Sequence, residues 1–192
     1  MELTLLTDRL LLRPLRLDDL DLGIEMFTDP EVVRYVAGPG PQTAKEIEAG
    51  LPTEMKRCGG GCIGVWCVID RETSEKLGTG ILLPMPIDED DTNWDLVEGP
   101  DIPDCEIEIG YILKQSAWGK GYATEICMRL PAFAFKDTLL MDIVACIDDD
   151  NNKSQQVLSK CGLRCEGRRR AYGGQSLCFR ITREQWMFEN RA

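Results

Sequence analysis

Two carboxylates, Glu106 and Glu108, stand two apart in the alternating run EIEIGYIL, residues 106–113. Side chains two apart leave an extended strand from one face, so both acids project together while Ile107 and Ile109 turn to the core. A carboxylate in a partly dry cleft has its pKa raised toward neutrality, which suits it to take a proton from an ammonium group. A solvent-facing acidic pair is the other reading of the same spacing. Shortly after this run, WGKGYATE, residues 118–125, sets Gly119 and Gly121 ahead of a segment with helical periodicity, Tyr122–Phe135. First-turn amides of a helix lack intrahelical acceptors and carry the positive end of its dipole. Two glycines remove side-chain bulk there, so the backbone can close around an anion such as a phosphate. Close packing between strand and helix would call for the same glycines. The Walker loop does not fit, because Lys120 is followed by Gly121; nor does the dinucleotide fingerprint, because Thr124 stands where Gly or Ala is needed.

Composition narrows the chemistry further. The chain has no histidine, which removes Ser–His and Cys–His nucleophile pairs and leaves proton transfer to a carboxylate or a water. Nine cysteines, at 58, 62, 67, 105, 127, 146, 161, 165 and 178, contain no Cys-x-x-Cys. With no histidine to complete a mixed site, no metal is expected; Cys58, Cys62 and Cys67 come closest to a cluster. The cysteines are expected to be small buried hydrophobes in a reducing compartment. A net charge of −11 argues against nucleic-acid binding, which needs a basic surface. It favours a cationic partner such as an amine, although solubility alone would account for it. The 192 residues, 43% hydrophobic and 29% charged, are expected to form one domain, 1–192, that buries a sizeable core. No apolar run reaches the roughly 18 residues of a membrane span and the start lacks a signal-peptide pattern, so the expected location is the cytoplasm, away from membranes.

The positioning elements follow in order. Residues 4–13 predict a first strand, and Asp18 or Asp19 opens a short helix through Phe27. Asp29-Pro30 restarts helix as N-cap and first helical residue, and Thr43-x-x-Glu46 is a capping box for another. Residues 62–70 and 77–83 predict a β-hairpin. Residues 85–104 carry eight acids, no periodicity and several Pro and Gly; they read as a long loop, either solvated or a lid that attracts a cationic acceptor. Pro131 is expected to kink the helix that begins at Tyr122 or lengthen its last turn. Residues 141–147 predict a strand, Asn151 caps a helix that runs to Cys161 and stops at Gly162, and 163–170 with 175–182 form a final hairpin bearing Arg164, Arg168, Arg169 and Arg170.

Three of these stretches resemble the GNAT superfamily of acetyl-CoA-dependent N-acetyltransferases. Its pyrophosphate motif is Gln/Arg-x-x-Gly-x-Gly/Ala, and Trp118, Gly121 and Ala123 stand at its defined positions. Tryptophan in place of Gln or Arg is itself similar to the RimJ/RimL-type branch, which reads Trp-Gly-x-Gly-x-Ala-Thr-Glu. The opening Thr7-Asp8-Arg9-Leu10-Leu11-Leu12-Arg13-Pro14 follows that branch's Thr-x-Arg-Leu-x-Leu-Arg-Pro. In NNKSQQVLSKCGL, residues 151–163, Asn151, Ser154, Val157, Leu158, Lys160 and Gly162 match a third motif, with Leu163 replacing its aromatic.

The resemblance implies an α/β (α+β) fold: a mixed, mostly antiparallel sheet of six to seven strands, flanked by helices, with splayed central strands. It implies that the amides of Gly119, Lys120, Gly121, Tyr122, Ala123 and Thr124, beside Trp118, hold the pyrophosphate of coenzyme A. Tyr111, Ile112 and Leu113 would pair with the pantetheine arm as it enters between this strand and the one at 141–147. Asn151 would touch the coenzyme, Glu108 would be the base, directly or through water, and Ser154 would donate a hydrogen bond to the departing sulfur. Tyr111 and Tyr172 are alternative hydroxyl donors. The arginines of the last hairpin are either a solvated face or a contact for the coenzyme's ribose phosphate. The implied acceptor is a protein N-terminal amine or a small cationic amine such as a polyamine or aminoglycoside, and a homodimer is among the expected assemblies. A non-catalytic acyl-CoA-binding module would keep the glycine turn and dispense with Glu108 and Ser154.

Overall fold

A computed structural model describes residues 2–190 apart from 37 and 39. Its strands are β1 (Leu5–Leu6), β2 (Leu10–Pro14), β3 (Gly64–Asp70), β4 (Lys76–Pro84), β5 (Ile107–Leu113), β6 (Asp142–Ile147), β7 (Arg164–Ala171) and β8 (Gly174–Thr182). Its helices are α1 (Leu20–Phe27), α2 (Pro30–Val33), α3 (Ala44–Glu54), α4 (Tyr122–Asp137), α5 (Asn152–Lys160) and α6 (Arg183–Glu189). The strands form one sheet in the order β1-β2-β3-β4-β5-β6-β8-β7. Every neighbouring pair is antiparallel except β5 and β6. The eighth strand, one more than the six to seven expected, arises because the first predicted strand breaks at Thr7, whose amide turns back to the Leu10 carbonyl at 2.9 Å.

Local signals set most boundaries. Asp29 accepts from the Glu31 amide and Thr43 exchanges hydrogen bonds with Glu46, opening α2 and α3 where the capping residues foretold. Helix α4 runs through Pro131 to Asp137. Unexpected from sequence is α6, although Thr182 and Gln185 form a capping box at its start. Beneath the sheet, Trp66 meets Phe133 of α4 edge to face at 5.8 Å. A Cβ on Gly80 would come within 3.0 Å of Ile126, so β4 lies close against α4. Among the described residues no helix is long and apolar enough to cross a membrane.

The cysteines depart from expectation in two ways: two of them are paired, and Cys105 and Cys165 are exposed rather than buried. Cys146 and Cys178 face each other across β6 and β8 and are joined by a disulfide. They lie 32 residues apart in the chain, and only the register of β6 on β8 brings their side chains to one face of the sheet. Cys58, Cys62, Cys67 and Cys127 are buried and free, as small apolar residues would be.

Candidate active site

The sheet opens at its middle. Strand β4 pairs with β5 along its whole length, from Gly78 opposite Leu113 to Pro84 opposite Ile107. Strand β5 meets β6 at one register position, Glu108 opposite Val144. Beyond it the ladder stops, and the Cys146 amide donates to Glu108 Oε1 at 3.1 Å. A side-chain carboxyl thus replaces the backbone acceptor a continuing ladder would have supplied, and Glu108 is the wedge at which the two strands part.

Glu108 is only 5% exposed. Its second oxygen accepts from the Tyr172 hydroxyl. Burial pushes its pKa up to about 7, against the Tyr172 hydroxyl, the Cys146 amide and the Arg169 charge, which favour the ionised form. Glu106 has a different fate: the Arg169 guanidinium at 2.6 Å, and Arg180 with it, hold its pKa below the usual carboxylate range. The two acids therefore do not act as a pair. One is neutralised by arginines, and the other is held by uncharged donors, with the Arg169 charge acting on it without a direct ion pair among the described residues.

The β7 arginines are each engaged by a carboxylate. Arg164 pairs with Glu189, Arg168 with Asp149, Arg169 with Glu106 and Arg170 with Asp88. The acidic loop is likewise tied down. Tyr172 and Gly173 donate backbone N–H to the Pro86 and Ile87 carbonyls at 3.1 Å, and Gly59 donates to Asp101 at 3.0 Å. Lys56 pairs with Glu98 at 2.6 Å, and Val97 is buried. Within this frame Asp91 and Glu54 gather on the Glu108 side of the molecule. Asp91 is exposed, yet partial desolvation by the surrounding chain raises its pKa; desolvation and then the Asp91 charge raise that of half-buried Glu54, and Asp91 also opposes ionisation of Glu108.

At the far end of β5 the chain turns through Gly119 and Gly121, with φ of 72° and 82°, into α4. These left-handed conformations favour glycine. Gly121 is the N-cap and offers no side chain to the first turn. Among the described residues, no protein acceptor takes the amides of Gly119, Lys120, Gly121, Tyr122, Ala123 or Thr124. A Cβ on Gly119 would meet nothing within 4 Å, so that side of the turn is open. Open amides at a helix start, with space before them, fit a diphosphate.

The turn is braced from behind by the opening motif. Arg9 donates to the Lys120 carbonyl at 2.9 Å and, through Nε, to Glu125 Oε2 at 2.8 Å. Its backbone N–H and the Thr7 hydroxyl both reach Glu125 Oε1. The Arg9 guanidinium lies 4.6 Å from the Tyr122 ring centroid, and Tyr122 in turn donates to Asp70 at 2.8 Å. The Trp118 indole donates to the Leu113 carbonyl at 2.7 Å, fixing the end of β5, with the Lys153 ammonium 5.4 Å from its ring. Sequence reading singled out Thr7 and Arg9 only as part of a pattern; their partnership with Glu125 was invisible because 116 residues separate Arg9 from it.

Asn151 accepts from the Ser154 amide at 3.2 Å and caps α5. The Tyr111 hydroxyl is buried with no hydrogen-bond partner among the described residues; burial raises its pKa beyond the ordinary tyrosine range, and the Ser154 hydroxyl is the neighbour that opposes this. Tyr111, Ser154 and the glycine turn thus share the α4–α5 side of β5, while Glu108 and Tyr172 meet at the parting of β5 and β6, with Asp91 near them and Glu54 near Asp91.

The chain's similarities agree with this geometry. The family described as Acetyltransferase (GNAT) domain matches residues 9–164. An uncharacterized N-acetyltransferase, p20 of Bacillus licheniformis, is 27% identical over 169 residues, covering 88% of this chain and 86% of its own. The crystal structure of a GNAT-family acetyltransferase from Bacillus anthracis superposes with a TM-score of 0.74 at 21% identity, covering 94% of this chain and 99% of that one. Spermidine N-acetyltransferase from Vibrio cholerae, solved with CoA and spermine, superposes with a TM-score of 0.71 at 17% identity, covering 94% and 99%. With a match across most of its length and a sheet that opens between β5 and β6, the chain belongs to the GNAT acetyltransferase family.

Proposed function

We propose that the protein transfers the acetyl group of acetyl-CoA to a primary amine, with Glu108 as the base. The observation that carries this reading is the position of Glu108: a buried carboxyl at the opening between β5 and β6, with a pKa of about 7. A carboxyl tuned to that range accepts a proton from an ammonium near neutrality without being a strong acid once loaded. The unengaged amides of Gly119 to Thr124 would hold the pyrophosphate, and β5 from Tyr111 to Leu113 would line the pantetheine arm. Bound there, the thioester supplies the activated acyl carbon. The Ser154 hydroxyl, with Tyr111 beside it, would donate to the departing sulfur, and Asn151 would fix the start of α5 beneath it.

A small cationic amine is the acceptor favoured by Asp91 and Glu54, which add negative charge on the side from which Glu108 is approached. The spermine bound to the Vibrio cholerae relative is an acceptor of this class. The RimJ/RimL-like motifs at 7–14 and 118–125 support the second reading, a protein N-terminal amine. Thiol release from acetyl-CoA over polyamines, aminoglycosides and N-terminal peptides separates the two. Coenzyme binding without turnover on any amine would replace both with a non-catalytic acyl-CoA-binding module.

A further inference from the structure

We infer that Tyr172 is a positioning residue for this reaction: from the tip of the β7–β8 hairpin its hydroxyl orients the Glu108 carboxylate and stabilises its ionised form. The inference rests on the reading of Glu108 as the base. Each carboxyl oxygen has one donor, Oε1 the Cys146 amide and Oε2 the Tyr172 hydroxyl. The amide belongs to β6 and is fixed by the sheet, so the orientation of the second oxygen depends on Tyr172.

The hairpin is built to hold that hydroxyl still. Tyr172 has φ of 52° and Gly173 of 66°, the left-handed pair of a tight hairpin turn. A bulky aromatic residue rarely takes that conformation without compensation. Here the backbone N–H groups of Tyr172 and Gly173 bond to Pro86 and Ile87, and Arg170 pairs with Asp88. Tyr172 packs against the small buried cluster formed by Met85, Val144, Ala171 and the Cys146–Cys178 pair.

Other charges around Glu108 are accounted for. Arg169 of β7 favours its ionised form and Asp91 of the loop opposes it, while Glu106 and Arg180 neutralise each other. Burial and the adjacent Glu108 raise the Tyr172 phenol far above its ordinary range, so it stays a donor wherever the enzyme would work. Removing a neutral donor from a buried carboxylate leaves the charged form less stable, and the acid then deprotonates at higher pH.

Tyr172→Phe keeps the ring and removes the hydroxyl. Thiol release measured from about pH 6 to about pH 9 should show the acid limb of kcat/KM for the amine displaced to higher pH by about one pH unit. On that limb the variant loses roughly tenfold, it converges on the parent above it, and KM for acetyl-CoA stays unchanged. The Glu108 carboxyl carbon resonance, identified by its loss in Glu108→Gln, should titrate higher by the same amount. Replacing Tyr172 with 3-fluorotyrosine, a stronger donor, should move limb and resonance the opposite way. A limb and resonance that stay in place, with kcat lowered equally at every pH, would reduce Tyr172 to packing and overturn the inference. If Glu108→Gln retains full turnover, the base reading falls and this inference with it. If Glu108→Gln is inactive while Tyr172→Phe leaves the limb unmoved, the positioning role alone is lost.

Discussion

Glu108 carries a conflict between stability and chemistry that one substitution should expose. Its folded-state pKa of about 7 lies above the roughly 4.3 of an unfolded glutamate. Between those values the folded chain binds the extra proton, so stability falls as pH rises through that window and stays lower above it. Glu108→Gln should therefore raise the melting temperature above pH 7 relative to the parent and change it little near pH 4, by differential scanning calorimetry. The same variant should lower kcat by roughly a hundredfold at neutral pH. Asp19 shows the opposite sign. Although burial alone would raise its pKa, the Arg13 guanidinium, bound through both nitrogens at 2.7 Å, holds it low. Its contribution is present above the unfolded aspartate range and lost as pH falls through the lowered value.

At the scale of elements, the glycine turn is set by what stands behind it. Arg9 and Thr7 clamp Glu125 and the Lys120 carbonyl, and so fix the pitch at which α4 presents its first amides. Arg9→Ala should weaken coenzyme A binding several-fold in calorimetry, with the amine KM unaffected, because it loosens the turn without touching the parting of β5 and β6. A methyl at Gly121, where φ is 82°, costs roughly 1 kcal/mol of backbone strain and should weaken binding in the same sense. The acidic loop divides in function. Asp91→Asn or Glu54→Gln should raise the KM for spermine several-fold, whereas Asp95→Asn, exposed like Asp91 but outside this group, should leave it unchanged. Equal KM values for all three would assign the loop to the solvated surface.

Over the whole molecule, the sheet connects these parts and also ties two cysteines together. Thiol titration in denaturant should find seven free groups of nine without reductant and all nine with it. What the sequence by itself determined was local: the caps at Asp29, Thr43 and Asn151, the β3–β4 hairpin, the glycine turn at 119 and 121 that opens a helix, and the absence of histidine. Such features are legible because capping, periodicity and turn chemistry act over a few residues. Tertiary structure decided the rest. It split Glu106 from Glu108, giving the first to Arg169 and Arg180 and burying the second against Tyr172. It set Arg9 on Glu125 and Cys146 on Cys178. Each of these depends on strand order and register between segments far apart in the chain, where burial and partner distance, rather than residue type, fix which carboxylate is neutralised by arginines and which is left buried with a raised pKa.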